Sequence, residues 1–333
     1  MRINRFSGGR LENNLRKTPD GYVLIGPHDT KNRENDKKHT RSNQYLLIEE
    51  SEAILIDAGI KGRFGDEIIL LLEELQIDLE AIILTHFHYD HTGHAKRISE
   101  YFDSPIYSHE KDRRFIEKPE LIASRYYKEN KPNKRNNRLG KEIFIDSNDI
   151  RNLYPRDIHV DETFTEDEIL KLKGKKIRVL STPGHTPGSI SLFSEDTKSL
   201  YVSDLDYCVN PPLPPNLGNV SALKESINKV LNLKAKFLGP GHMYNFYGRE
   251  MVKDYLEKTL KIIEDTSKKV LEILNNAAEP LTLKGVVKKV YPLTPRFSYE
   301  PLISSCILCH LYYLKEKGDI KEFTKERWSW SVA

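Results

Sequence analysis

Cysteine is scarce in this chain of 333 residues, which carries only Cys208, Cys306 and Cys309. An odd, sparse set of thiols is no disulfide framework, so the fold must rest on an apolar core. Cys306 and Cys309 stand as Cys-x-x-Cys inside the apolar segment 302–309, with no second pair to complete a zinc cluster, which predicts burial in a helix. Long apolar runs are missing as well. None approaches the roughly 20 residues that cross a bilayer, and the start Met1-Arg2-Ile3-Asn4-Arg5 lacks the apolar centre of a secretory signal. Together these absences predict a cytoplasmic protein without membrane contact. There is no excess of one charge either, since 52 Lys and Arg against 49 Asp and Glu leave +3. What is present, 38% hydrophobic and 30% charged residues over a length that suggests about two domains, suffices for a sizeable core.

The informative stretch is Thr85-His86-Phe87-His88-Tyr89-Asp90-His91, which follows the apolar run Ala81-Ile82-Ile83-Leu84. It reads as a buried strand that ends in a metal site, because imidazole nitrogens and a carboxylate suit Zn²⁺ and other first-row divalent ions. His86 and His88, two apart, converge on one ion if the turn is extended. Asp90 and His91, where the chain bends into a helix, then point to a second position. The strand-then-ligand pattern recurs three times: His185 in the Gly/Pro-punctuated turn 181–189, Asp204 after 199–203, and His242 after 237–241.

In these residues and their order the chain resembles the metallo-β-lactamase superfamily of hydrolases, whose pattern is His-x-His-x-Asp-His, then a His, an Asp and a His. The resemblance covers about residues 1–250 and implies an αββα sandwich. It implies one metal held by His86, His88 and His185, another held by Asp90, His91 and His242, and Asp204 as the bridge between them. Ile54-Leu55-Ile56-Asp57-Ala58-Gly59 looks like the family's early strand, with Asp57 orienting a ligand histidine. His94, one helical turn beyond His91, lies outside the pattern. The implied cofactors are two divalent ions, zinc first, with iron or manganese open because His and Asp ligands suit all three. The implied chemistry is hydrolysis by a hydroxide bridging the ions, with Asp90 accepting a proton.

Between residues 21 and 109, strands at 22–25, 44–48, 53–56 and 81–84 with an amphipathic helix at 64–75 predict an α/β architecture. Lys31 to Arg41 reads as a solvated loop. A basic insertion follows at about 111–157; from Lys111 to Lys141 it holds eleven Lys and Arg against four Asp and Glu. Lys131, Lys134, Arg135 and Arg138 are candidate contacts for an anionic substrate, with Tyr126 and Tyr127 as stacking surfaces; a solvated face is the alternative. From residue 251 the pattern changes to helices at 251–275, 281–291 and 299–317 and a small β-wing at 319–330. The chain thus divides into a catalytic domain, 1–250, and a C-terminal helical, winged-helix-like domain, 251–333, of the kind found in the β-lactamase-like protein two branch. From Lys253 to Arg327 that tail holds fourteen Lys and Arg against eleven Asp and Glu, weak for binding phosphates. A structural role or a homodimer contact is favoured, with Trp328 and Trp330 as anchors.

The function expected is hydrolysis of a small ester, thioester or lactone, as in glyoxalase II and the lactonases. The alternatives are an endoribonuclease cutting single-stranded RNA, supported by the basic insertion, and a mononuclear iron oxygenase or a DNA-binding regulator. Seven ligand residues exceed what a mononuclear centre requires or what a closed structural zinc takes up, which favours hydrolysis at two metals.

Overall fold

A computed structural model describes residues 15–24, 42–60, 64–122, 154–172, 175–205, 218–242, 244–291, 300–323 and 329–333. Lys131, Lys134, Arg135 and Arg138 lie outside the described residues, as do Tyr126, Tyr127, Cys208, Trp328 and the loop 31–41.

Seven strands form one sheet in chain order: β1 (Leu15–Thr18), β2 (Gly21–Leu24), β3 (Gln44–Glu49), β4 (Glu52–Ile56), β5 (Asp78–Ile83), β6 (Ile106–His109) and β7 (Glu162–Phe164). The first four make an antiparallel meander, and β4 to β7 run parallel. Parallel neighbours need crossovers, and these carry α1 (Phe64–Leu75), α2 (Tyr89–Thr92), α3 (Ala95–Phe102) and α4 (Glu110–Glu117). A second sheet of six strands has the order β13-β12-β11-β10-β9-β8. Its members are β8 (Glu168–Leu172), β9 (Lys175–Ser181), β10 (Ile190–Ser194), β11 (Ser199–Ser203), β12 (Phe237–Pro240) and β13 (Phe246–Tyr247), with α5 (Val220–Leu231) between β11 and β12.

The two-residue period of the strands builds the layers. Tyr45, Leu47, Ile54, Ile56, Ala81 and Ile83 face the second sheet, where they meet Ile177, Val179, Ile190, Leu192, Tyr201 and Phe237. Their neighbours Leu46, Ala53, Leu55 and Ile82 point the other way and pack on Ile68 and Leu72 of α1, Ile98 of α3 and Phe115 of α4. The outer face of the second sheet, with Leu180, Phe193, Leu200, Val202 and Leu238, is covered by Leu223, Ile227 and Val230 of α5 and by the first half of α6 (Arg249–Asn275). The result is the helix–sheet–sheet–helix sandwich expected. The described start of the basic stretch is itself part of that sandwich, since α4 buries Asp112, Phe115 and Ile116.

Beyond the sandwich, the second half of α6 joins α7 (Leu283–Val290), α8 (Glu300–Glu316) and a three-stranded sheet with the order β14-β16-β15, made of β14 (Leu281–Thr282), β15 (Ile320–Phe323) and β16 (Ser329–Val332). Their shared core is centred on the wholly buried Trp330. The helix expected from 281 begins at Leu283, because Leu281 and Thr282 pair with Trp330 and Ser329. Thr282 then caps α7 by accepting from Gly285 N at 3.2 Å. Cys306 and Cys309 lie buried on α8, and burial pushes the Cys309 thiol up to about 12 and that of Cys306 well up. Among the described residues no helix is long and apolar enough to cross a membrane.

Candidate metal centre

The parallel strands bring their carboxyl ends to one edge of the sandwich. Asp57 follows β4, the segment 85–91 follows β5, Asp204 follows β11 and His242 follows β12. Because β11 and β12 are parallel neighbours, Gly241 N donates to Ser203 O at 2.7 Å and sets the two ligand turns side by side. A Cβ on Gly241 would stand 2.3 Å from Asp204 Oδ1, so only glycine lets the turn approach so closely. Asp57 and Ser203, both at this edge, adopt left-handed backbone, φ 61° and 45°.

All seven residues proposed as ligands meet here, in two groups whose ligating atoms lie within 4.8 Å of one another: His86, His88, His185 and Asp204, and then Asp90, His91 and His242. His88 Nδ1 is 2.9 Å from His86 Nε2 and 3.0 Å from His185 Nε2. In the second group His91 Nε2 is 3.3 Å from His242 Nε2, and Asp90 Oδ2 is 3.4 Å from His242 Nε2. Asp204 turns one oxygen to each group: Oδ2 is 3.2 Å from His185 Nε2, and Oδ1 is 3.4 Å from His91 Nε2 and 3.3 Å from His242 Nε2. Three ring nitrogens crowded on one point cannot all pair with each other, since each offers either one proton or one lone pair. A shared cation resolves this. Tetrahedral nitrogen ligands about 2.0–2.1 Å from an ion stand about 3.3 Å apart, close to the spacings here.

The signature of the Metallo-beta-lactamase superfamily matches residues 39–242. This chain belongs to that superfamily. It is therefore a metal-dependent hydrolase. "Hydroxyacylglutathione hydrolase GloC" of Haemophilus influenzae is 31% identical over 159 residues, 47% of this chain and 62% of its own length. "Beta-lactamase-like protein 2 homolog" of Drosophila melanogaster is 24% identical over 290 residues, 84% of either chain. The crystal structure of a metallo-beta-lactamase family protein from Thermus thermophilus shares the fold, with a TM-score of 0.70 at 22% identity over 88% of this chain and 94% of that one.

Members of this superfamily bind divalent metals, and the groups behind the rings show how the chain aims its own donors. Asp57 Oδ2 stands 2.7 Å from His91 Nδ1, while Asp57 Oδ1 accepts from Thr85 N at 2.8 Å. Thr85 Oγ1 and Ser203 Oγ each lie 3.1 Å from His86 Nδ1. A proton on each Nδ1 leaves the Nε2 lone pairs facing Asp204. Asp57, expected to orient a ligand histidine, stands against His91, but its contact with Thr85 carries no signal in the sequence. Nor do Ser42, whose hydroxyl donates to Asp90 O, and Asn43, whose N donates to Gly241 O at 2.6 Å and whose Nδ2 donates to Pro240 O at 2.9 Å. Asp112, a buried carboxylate behind His88 and His185, is equally silent in the sequence. His94 sits buried at the start of α3, outside both groups.

Burial sets the charge states that this superfamily member presents. It lowers His88 to about 3 and His185 to about 4, and takes His86 well below its ordinary value. All three rings are thus neutral, the form that ligates. Burial also pulls His91 down, but the carboxylates of Asp204, Asp57 and Asp90 outweigh it and hold the ring at about 9. Burial raises Asp204, yet His242, His91 and His185 keep its carboxyl well below the usual range. A pocket of carboxylates that holds a proton so firmly will hold a metal cation in its place.

Proposed function

We propose that the chain hydrolyses a small carboxylic ester, thioester or lactone at a dinuclear metal centre. The observation that carries this reading is Asp204, a largely buried carboxylate with one oxygen turned to each ligand group. His86, His88 and His185 would hold one ion, Asp90, His91 and His242 the other, with Asp204 shared. Two divalent ions there, zinc first and iron or manganese as alternatives, supply a water of lowered pKa and polarise a substrate carbonyl. Asp57 and Thr85 fix the orientation of the His91 and His86 rings, and Asp90 would hold the proton that the attacking water gives up. The acyl substrate class draws support from the relative GloC, whose name describes hydrolysis of hydroxyacylglutathione.

In this reading residues 1–250 are the catalytic domain and residues 251–333 a winged-helix-like domain with a structural role. The sparse thiols, two of them buried on α8, suit a cytoplasmic enzyme. The basic residues that would favour RNA lie outside the described residues, so RNA enters only as an arm of the test. The zinc-loaded protein is analysed for metal content and assayed in parallel on a thioester, a lactone, a phosphodiester and a single-stranded RNA. Two ions per chain with turnover of the thioester or lactone is the expected outcome. Full activity with one ion excludes the dinuclear centre, and activity on RNA alone overturns the substrate class.

A further inference from the structure

His88 and His185 reach the same point from different sheets, His88 after β5 and His185 after β9. Their ring nitrogens stand 3.0 Å apart, so whatever registers the two loops also sets one ligand group. Asp112 is in that position. It is wholly buried on the first turn of α4. Its Oδ2 accepts from Phe87 N at 3.2 Å, between His86 and His88, and from Thr186 Oγ1 at 2.6 Å, next to His185. Its Oδ1 accepts from Gly188 N at 2.8 Å, further along the His185 turn. Gly188 is bare for this contact, since a Cβ there would stand 2.6 Å from Asp112 Oδ1.

The second ligand group is buttressed elsewhere. Asp57 meets His91, Ser42 ties the backbone of Asp90, and Asn43 ties the turn that carries His242. We propose that Asp112 is the positioning residue of one ligand group alone, His86, His88 and His185, and acts by clamping the His88 loop to the His185 turn across the two sheets. The division of labour is unequal. Asp57 touches both groups, directly at His91 and through Thr85 at His86, whereas Asp112 serves only the first.

The inference rests on the dinuclear reading, and the test separates the two. Cobalt(II) is titrated into the metal-free full-length protein against a competing chelator, and His88→Ala and His242→Ala assign each binding step to its ligand group. Asp112→Asn and Thr186→Val should each weaken the His88 step, by about 10–100-fold for Asp112→Asn and less for Thr186→Val, with the His242 step within about threefold of wild type. Thr186→Ser, which keeps the hydroxyl, should bind as wild type does. Thr186 deletes one clamp bond without emptying the carboxylate site, so this pair decides the matter even if Asp112→Asn folds poorly. Equal weakening of both steps, or no weakening of the His88 step in Thr186→Val, overturns the proposal. A stoichiometry of one cobalt per wild-type chain overturns the dinuclear reading and this inference with it.

Discussion

Asp57→Asn tests what orients the His91 ring, which Asp57 meets directly. Asp57 sits at φ 61°, a left-handed conformation that Asn tolerates and Ala does not, so the substitution leaves the backbone alone. The amide has one acceptor where the carboxylate has two. If its oxygen stays on Thr85 N and Oγ1, its NH₂ faces His91 Nδ1, which must then present a lone pair and carry its proton on Nε2. That nitrogen is the one 3.4 Å from Asp204 Oδ1 and 3.3 Å from His242 Nε2, so the ligating lone pair is lost. The other rotamer sets NH₂ against Thr85 N–H, donor to donor. Either way a charge-assisted hydrogen bond worth about 1.5–3 kcal/mol disappears, matching the 10–100-fold loss of affinity, about 1.4–2.7 kcal/mol, typical of such supports. The His242 step of a chelator-competition titration should therefore weaken by that factor while far-UV circular dichroism stays native. A dissociation constant within about twofold of wild type would refute the tautomer argument.

Gly241→Ala should empty both ligand groups, because its Cβ would collide with the shared Asp204 carboxylate at 2.3 Å; retention of two ions by elemental analysis would show that the turn yields freely. His310, buried against Ser267 with its ring lowered to about 3, makes stability pH-dependent. The unfolded ring protonates first, so this stability is intact above the ordinary value of 6.5 and falls as pH drops toward 3, by about 2 kcal/mol at pH 5. His310→Gln should flatten the decline of melting temperature between pH 7 and 5, and identical slopes would reject this assignment. Cys306 and Cys309 should resist iodoacetamide at pH 8 until the chain is unfolded, as burial holds both thiols protonated; peptide mapping of the native protein reads this, and prompt labelling of either would contradict their burial.

The candidate ligands stand out in the sequence because metal binding draws on a short menu of side chains, and each cluster of them here lies just beyond an apolar strand. His86, Asp204 and His242 can be placed at one edge by that pattern alone. Asp57 is legible for the same reason. The supports are not. Ser42, Asn43, Thr85 and Ser203 are common residue types whose roles depend on which strands become neighbours, and the adjacency of β11 and β12 is written in no local period. Asp112 is the sharpest case: in the sequence it is one acid among eleven basic residues between Lys111 and Lys141, and counts as charge. Only the docking of α4 on the first sheet turns it inward, between two loops 97 residues apart at His88 and His185. The C-terminal helices are legible in their apolar spacing, but the two-residue strand β14 cannot be told from the start of α7, since Leu281 fits either period.

Helix α6 belongs to two cores at once. Val252, Leu256 and Ile263 close the outer face of the second sheet, while Val270 and Leu274 complete the core around Trp330. Its 27 residues span about 40 Å as one rigid rod. A chain cut near residue 250 would therefore strip one wall from the sandwich and leave Leu180, Phe193 and Leu238 partly wet. Loosening of α6 in the tail would therefore be felt behind β11 and β12, the strands that end in Asp204 and His242.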